Sequence, residues 1–220
     1  MAKVLIWGLE DFAELAHFYL THDSDHEVSA FCVDREFLNG TSRYRHLPVV
    51  AFEDVSGSYP PGEYSFLAPM SHRRMNNDRK QVFHRIQDKG YELISYVSSK
   101  ATVFPETTIG RNCFILEDNT IQPFVRIGDN VVLWSGNHLG HHSEIRDHVF
   151  FSSHVVLSGH CRVESRCFLG VNSTIRDGLC IAEGSLVGMG AVVTRDTEPW
   201  GVYTGSPARK GKIPSDELGK

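Results

Sequence analysis

A strict six-residue spacing of apolar side chains runs through the second half of this 220-residue chain. It starts at Val97, ends at Val193 and covers seventeen positions without an insertion, of which only Phe151 is not aliphatic. The residue four places after each of them is mostly small or β-branched, as at Val125 and Ser143. An α-helix does not keep a period of six. The spacing therefore predicts a parallel β-helix of hexapeptides, with three short strands in each coil.

Eighteen residues make one coil of such a β-helix, so residues eighteen apart are expected to stack. Three cysteines, Cys113, Cys161 and Cys167, occupy the small inward position, and we expect them to pack in the core as small apolar side chains. A glycine often follows the aliphatic residue directly, where we expect a corner to require a positive φ angle. These glycines are Gly110, Gly128, Gly140, Gly170 and Gly188.

The first part of the chain has a different pattern, typical of alternating strands and helices. "KVLIWG", "EVSAFCVD" and "EYSFLAP" are predicted strands, and "DFAELAHFYL" is a predicted helix with the capping-box spacing of Asp11 and Glu14. A second helix is predicted from Ser71 to about Lys89, before "YELISYV" leads into the repeat. We predict a Rossmann-like α/β domain over residues 1–95, a β-helix domain over 96–197 and a C-terminal tail over 198–220.

Two interpretations of the α/β domain remain open. After Gly8 come Leu9, Glu10 and Asp11, so the glycine-rich dinucleotide fingerprint is absent. The domain is then either a structural cap over the open end of the first coil, or a binding site for a nucleotide-linked sugar. In the second case Asp34, at the end of the second strand, accepts hydrogen bonds from ribose or base, and Arg35, Arg73 or Arg74 lies near the phosphates.

The overall charge excludes two classes of partner. The formal net charge is −5 and the pI is about 6.2, whereas nucleic acids and anionic membrane surfaces are bound through an excess of Lys and Arg. "MAKVLIWGLEDF" has too short an apolar run for a signal peptide or a membrane span. We therefore expect a cytoplasmic protein, and five cysteines without a CxxC pair agree with a reducing compartment.

Six histidines fall within residues 135–160, and the hexapeptide phase separates them. His141 is predicted at a corner beside Gly140, with Gly159 one coil later offering a free backbone N–H. Acyl transfer requires at least a base and an exposed amide donor side by side, because the base takes the proton of the nucleophile and the amide stabilises the oxyanion. His142 and His160 are expected to stack on each other at outward strand positions and to line the site. His138, His148 and His154 are expected to be outward, solvated or intersubunit residues.

Three motifs carry a resemblance to a known family: "NHLGHHSEI", "FLGVNSTIRDG" and "GAVVTRDTEPWGVYTGSPAR". With the preceding α/β domain, they resemble the left-handed β-helix hexapeptide sugar acyltransferases of the sialic-acid O-acetyltransferase and perosamine N-acetyltransferase type. The resemblance implies acetyl transfer from acetyl-CoA to the amine of a nucleotide-linked 4-amino-4,6-dideoxyhexose, for lipopolysaccharide O-antigen or another surface glycan. It also implies that His141 is the catalytic base and that Gly159 contacts the acetyl oxygen.

The flat faces of such a β-helix carry outward histidines and aliphatic side chains that one chain leaves uncovered, so we expect a homotrimer packed side by side. The resemblance implies that CoA lies along the last coils, in a groove between subunits. The residues expected to contact CoA are Gly170, Gly188, Gly190, Ala208 and Arg209. Residues expected to contact the nucleotide sugar are Gly8, Asp34, Arg35, His142 and His160. One departure from the family is that an acid often follows the catalytic histidine, whereas His142 stands here. Glu144 or a residue of another subunit is then the candidate to orient His141.

Alternatives to this function differ in chemistry or in class. A histidine base serves a hydroxyl as well as an amine, so sugar O-acetylation and transfer of another acyl group remain open. The γ-type carbonic anhydrases share the hexapeptide helix, but their H-x4-H zinc motif is absent from residues 97–193, so no metal is expected. A noncatalytic β-helix scaffold is the remaining class, and it would have no affinity for acetyl-CoA.

Overall fold

The computed structural model describes residues 1–218, which form two compact units. The first unit comprises residues 1–71 and 81–96, and the second comprises residues 72–80 and the described residues from 97 onwards. No helix among the described residues is long and apolar enough to cross a membrane.

The first unit is a six-stranded sheet with helices, as expected for a Rossmann-like domain. Its helices are α1 (Asp11–His22), α2 (Val55–Ser58) and α3 (Asn77–Asp88), of which residues 77–80 group with the second unit. Its strands are β1 (Lys3–Trp7), β2 (Glu27–Val33), β3 (Arg43–Tyr44), β4 (Leu47–Ala51), β5 (Tyr64–Leu67) and β6 (Glu92–Leu93). The strand order is β3-β4-β2-β1-β5-β6, and all neighbours are parallel except β3 and β4. The apolar runs of β1 and β2 are buried because the central strands of a parallel sheet are covered on both faces.

Two local predictions for this unit were wrong. Helix α3 begins at Asn77, not Ser71, because residues 74–76 all have positive φ angles and cannot continue a right-handed helix. The capping box of α1 does not form: Glu10 is the N-cap and makes no side-chain capping bond, whereas Asp11 and Glu14 lie in the first turn, where the helix dipole favours acids. The β3–β4 hairpin was not predicted.

The second unit is a parallel β-helix, and its seventeen hexapeptides each contribute a two-residue strand that ends at the predicted apolar position. The first sheet contains β7 (Tyr96–Val97), β10 (Phe114–Ile115), β13 (Val132–Leu133), β16 (Phe150–Phe151), β19 (Phe168–Leu169) and β22 (Leu186–Val187). The second sheet contains β8 (Thr102–Val103), β11 (Thr120–Ile121), β14 (His138–Leu139), β17 (Val156–Leu157), β20 (Thr174–Ile175) and β23 (Val192–Val193). The third contains β9 (Thr108–Ile109), β12 (Arg126–Ile127), β15 (Glu144–Ile145), β18 (Arg162–Val163) and β21 (Cys180–Ile181).

Residues eighteen apart stack in register, as in the pairing of Leu139 with Leu157 and of Leu157 with Ile175. One continuous apolar core fills the column, and it includes the three cysteines of the small inward position. The predicted fold class is therefore confirmed. Burial raises the pKa of the Cys167 thiol, as expected for a packing residue that stays neutral.

At the corners of the coils, the positive φ angle occurs at a different residue from the predicted one. The glycine after the aliphatic residue is required by close approach: a Cβ on Gly140 would lie 2.4 Å from the backbone nitrogen of Gly159. The positive φ angle occurs two residues later, for example at Asn130 (58°), His142 (57°) and His160 (57°). These histidines therefore occupy turns, not the outward strand positions that the sequence analysis assigned to them.

Residues 72–80 pack against the first sheet of the β-helix. Arg79 is 1% exposed and donates from Nη2 to the Asn130 carbonyl at 2.6 Å and from Nη1 to the Val149 carbonyl at 3.2 Å. Burial lowers the pKa of this guanidinium to about 9. Asn130 also lies 2.9 Å from Nδ1 of His148, which is 6% exposed. The prediction of a solvated or intersubunit His148 was therefore wrong, because the side chain is buried within this unit and contacts Asn130.

The chain after the last coil remains attached to the β-helix. Strand β24 (Val202–Thr204) continues the first sheet and pairs with the antiparallel strand β25 (Arg209–Lys210). The Ala208 N–H donates to the Val192 carbonyl at 2.8 Å, and the Ser215 hydroxyl donates to the Gly184 carbonyl at 2.5 Å. The tail is therefore part of the folded column, and its removal would expose the last coil.

Candidate active site

The corner that follows β14 brings together the two residues on which the predicted chemistry depends. His141 and His142 occupy the turn, and the His141 N–H donates to Oε1 of Gln122 at 2.9 Å. Gly159 lies one coil later, beneath the imidazole of His141. A Cβ at Gly159 would meet both Nε2 and Cε1 of His141 at 3.0 Å. Glycine at 159 is therefore what allows the ring to lie over the backbone of the next coil.

The N–H of Gly159 donates no hydrogen bond within residues 1–218. At the equivalent position of another corner, the N–H of Arg111 donates to Asp129 at 2.7 Å, and that of Asp129 donates to Asp147 at 2.8 Å. The residue one coil after Gly159 is Asp177, which is exposed and accepts no such bond. A base and an unused amide donor therefore share this corner.

His142 is the nearest polar partner of the His141 ring. The two Nδ1 atoms lie 3.1 Å apart, and the rings are perpendicular. His142 is held between two rings: it packs on Phe124 at a centroid distance of 4.6 Å and stacks on His160 at 5.0 Å with an interplanar angle of 17°. The expected stacking of His142 and His160 is present. Glu144, one predicted candidate to orient His141, instead pairs with Arg146 at 3.0 Å.

The residues expected to contact CoA fall into three groups. Close packing of coils accounts for Gly170 and Gly188, because a Cβ would lie 2.7 Å from the Met189 nitrogen in the first case and 2.9 Å from Cγ2 of Thr204 in the second. Gly190 differs: its φ angle is 66° and nothing lies within 4 Å of a Cβ there. Ala208 and Arg209 belong to the hairpin segment after the last coil, and Arg209 is exposed.

In the α/β unit, Asp34 and Arg35 line an open cavity of about 560 Å³ together with Glu36, Glu53 and Arg85. Arg85 donates to both carboxylate oxygens of Asp34, with an Nη1–Oδ2 distance of 3.0 Å. This hydrogen bond raises the pKa of Arg85. The cavity lies at the carboxyl end of β2, where ligands of open parallel sheets bind.

Arg85 was not predicted from the sequence, because it lies 51 residues from its partner Asp34. Of the three arginines expected near the phosphates, Arg35 lines this cavity, whereas Arg73 and Arg74 do not, and Arg74 pairs with Asp78. Gly8 is placed at the end of β1, with a φ angle of 102° and an N–H that donates to the Cys32 carbonyl at 2.9 Å. The acids that follow Gly8 begin α1 and leave that helix terminus unsuited to a pyrophosphate.

Two family models match the β-helix: the bacterial transferase hexapeptide (six repeats) over residues 106–141, and the hexapeptide repeat of succinyl-transferase over residues 161–195. A curated relative, a putative acetyltransferase of Schizosaccharomyces pombe, is 30% identical over 98 residues, or 44% of this chain. The aligned part spans about 45% of the length of that relative.

Solved structures match nearly the whole chain. A mutant of perosamine N-acetyltransferase from Caulobacter crescentus, in complex with CoA and GDP-perosamine, has a TM-score of 0.86 at 21% identity and covers 97% of this chain and 98% of its own. The acetyltransferase domain of PglB from Neisseria gonorrhoeae has a TM-score of 0.81 at 20% identity, with coverage of 96% and 100%.

The fold and the repeat matches together define a hexapeptide-repeat protein in which an α/β unit precedes most of the β-helix along the chain. The resemblance to sugar acyltransferases of the perosamine N-acetyltransferase type, stated from the sequence, is confirmed at the level of the fold.

Proposed function

We propose that this chain is an acetyl-CoA-dependent N-acetyltransferase acting on the amino group of a nucleotide-linked amino-deoxysugar. The observation that carries the proposal is the corner where the His141 imidazole lies over Gly159, whose N–H is unused. A structural relative with the same two-unit fold binds CoA and GDP-perosamine, and the PglB domain has also been solved with acetyl coenzyme A. These ligands indicate the donor and the class of acceptor.

The corner supplies both groups that acyl transfer requires. The amine attacks the thioester carbonyl, and its nitrogen loses a proton to Nε2 of His141. The oxyanion of the tetrahedral intermediate accepts a hydrogen bond from the Gly159 N–H. Collapse of the intermediate breaks the C–S bond, and the proton on His141 passes to the departing thiolate of CoA. The histidine is neutral again at the end, so the cycle is balanced.

His142 acts as the positioning residue for His141 in this proposal. A base that works through Nε2 carries its own proton on Nδ1, which then donates to Nδ1 of His142 across 3.1 Å. The rings of Phe124 and His160 hold His142 in place. His142 thus takes the position of the acid that often follows the histidine in the resembled family, but as a neutral acceptor it stabilises the imidazolium less than a carboxylate would.

The nucleotide part of the acceptor is assigned to the cavity around Asp34. Its guanidinium groups, from Arg35 and Arg85, suit phosphate oxygens, and the Asp34 carboxylate retains lone pairs for hydroxyl donors. Acetyl-CoA is assigned to the last coils, where Gly190 lies beside open space and Arg209 is exposed. We assign residues 1–95 to acceptor binding, 96–197 to acyl transfer and 198–220 to CoA contact.

The protein is further proposed to be a cytoplasmic homotrimer that supplies an acetylated sugar for lipopolysaccharide O-antigen. The five cysteines are free thiols, as expected in a reducing compartment. The outward face of the second sheet carries Val156, which is 40% exposed, beside His138, and Met189 at a neighbouring corner is 81% exposed. A flat face of this kind suits burial against a second copy. A monomer in sedimentation at micromolar concentration would disprove the trimer.

The test of the function is His141→Asn in an acetyl-transfer assay with acetyl-CoA and a panel of nucleotide-linked amino sugars. Loss of a positioned base is expected to lower kcat by roughly 10²- to 10⁴-fold with little change in KM. His154→Asn is the matched control, because it alters another exposed turn histidine of the β-helix, and asparagine tolerates the positive φ angle at residue 154. Wild-type protein without transfer to any amine or hydroxyl acceptor would contradict the proposal. Transfer to hydroxyl acceptors alone would favour the O-acetyltransferase alternative.

A further inference from the structure

Three histidines of the β-helix converge at one corner. His141 and His142 are consecutive turn residues, and His160 is stacked on His142 because it lies eighteen residues later. The His141 ring stands edge-on to both neighbours, with centroid distances of 5.2 Å to His142 and 5.0 Å to His160. All three side chains are exposed, so an ion from solvent can reach them.

The spacing of the imidazole nitrogens matches that of a metal-binding site. One nitrogen from each ring can be chosen so that all three lie within 4.8 Å of one another, and the two Nδ1 atoms of His141 and His142 are 3.1 Å apart. With Zn–N bonds of about 2.0–2.1 Å, tetrahedral ligands stand roughly 3.3 Å from each other. The Nδ1 atoms of His141 and His142 already have about this separation, and the three nitrogens together span no more than 4.8 Å, so rotation of the side chains brings the third ligand to the ion.

The backbone beneath the cluster is well fixed, and its outer side is open. The His160 N–H donates to the His141 carbonyl at 2.9 Å, and the His142 N–H donates to the Pro123 carbonyl at 3.3 Å. One coil beyond His160 stands Gly178, where nothing lies within 4 Å of a Cβ. The three rings therefore need only side-chain rotation to converge, and space remains for a water ligand.

We propose that His141, His142 and His160 bind one divalent transition-metal ion of the zinc class, with water in the fourth position. Neutral imidazole favours Zn²⁺, Ni²⁺ and Cu²⁺ over Mg²⁺ and Ca²⁺. The ion occupies the lone pair of His141 or immobilises its ring, so the bound metal inhibits acetyl transfer. Inhibition rests on the proposed function, whereas binding of the metal does not.

The test is a calorimetric titration. The full chain is purified without a polyhistidine tag, treated with EDTA to remove bound metal, and titrated with ZnCl₂ and separately with MgCl₂. One Zn²⁺ per chain and no Mg²⁺ are expected. His160→Asn should weaken Zn²⁺ binding at least ten-fold, since a third ligand is lost, and asparagine tolerates the positive φ angle at 160. His154→Asn is the matched control and should bind Zn²⁺ like the wild type, because His154 lies outside the cluster.

Absence of Zn²⁺ binding, or equal binding by wild type and His160→Asn, would overturn the metal site. A protein that transfers acetyl groups but fails this titration retains the proposed function and loses the metal site. A protein that binds Zn²⁺ through the cluster but shows no transferase activity retains the metal site and loses the proposed function. Zn²⁺ bound at one equivalent with undiminished transfer would overturn the inhibitory role.

Discussion

The imidazole of His141 lies so close over Gly159 that a Cβ at residue 159 would approach Nε2 to 3.0 Å. Gly159→Ala is therefore expected to push the ring aside. Because a displacement of about 1 Å in a catalytic group can cost roughly 10²-fold, we expect a fall in kcat of that order. Steady-state kinetics with acetyl-CoA and the acceptor measure the effect.

The matched control for this substitution is Gly57→Ala, where nothing lies within 4 Å of the added Cβ and the φ angle is not positive. It should leave kcat and the melting temperature unchanged. If Gly159→Ala were as active as the wild type, the pairing of base and amide donor would be wrong.

His142 offers a test in which one substitution lowers activity and another restores it. Its positive φ angle is tolerated by Asn and Asp. His142→Asn removes the aromatic partner of the His141 ring and is expected to lower kcat about five- to ten-fold, the effect of losing a hydrogen bond of about 1 kcal/mol. His142→Asp places a carboxylate near His141 and should match or exceed the kcat of the wild type.

The same pair of variants separates a positioning role from a structural one. Both remove the stacking on Phe124 and His160, so a purely structural role would lower the activity and melting temperature of both alike. Equal loss of kcat in the two variants would contradict the orienting role of His142.

The cavity around Asp34 predicts a change in acceptor affinity alone. Arg85→Gln removes the ion pair with Asp34 and one guanidinium of the cavity, and it should raise the KM for the nucleotide sugar about ten-fold, which corresponds to roughly 1.4 kcal/mol. The KM for acetyl-CoA should not change. Arg45→Gln breaks another exposed ion pair of this unit, with Glu14, and serves as the control. Unchanged affinity in both Arg85→Gln and Asp34→Asn would leave the unit with a purely structural role.

Arg209 is a cleaner probe of CoA binding than deletion of the tail. Truncation before residue 206 would remove the hydrogen bond of Ala208 and the anchor of Ser215, so it would also disturb the last coil. Arg209→Ala alters one exposed side chain and should raise the KM for acetyl-CoA several-fold without changing that of the acceptor. Arg43→Ala, an exposed arginine of the α/β unit, is the control. Equal KM values for acetyl-CoA in the two variants would contradict the assignment.

Much of the β-helix was predictable because each coil repeats one simple relation between sequence and space. A side chain at the second position of each strand must point into the column, so the period from Val97 to Val193 reveals both the strands and the stacking by eighteen. The same arithmetic placed Gly159 beneath His141. It failed for the turns, because inward periodicity carries no information on which turn residue adopts the left-handed conformation, as His142 does.

By itself, the sequence determined the architecture of the chain, the α/β pattern of its first part and the corner at which a base meets an amide donor. These features depend on interactions that repeat or lie a fixed number of residues apart. Only the tertiary structure decided that His148 is buried beside Asn130, that Arg85 pairs with Asp34, and that three imidazoles converge at one corner. Each of these depends on how side chains from distant or irregular segments are directed in space, and no local period encodes that direction.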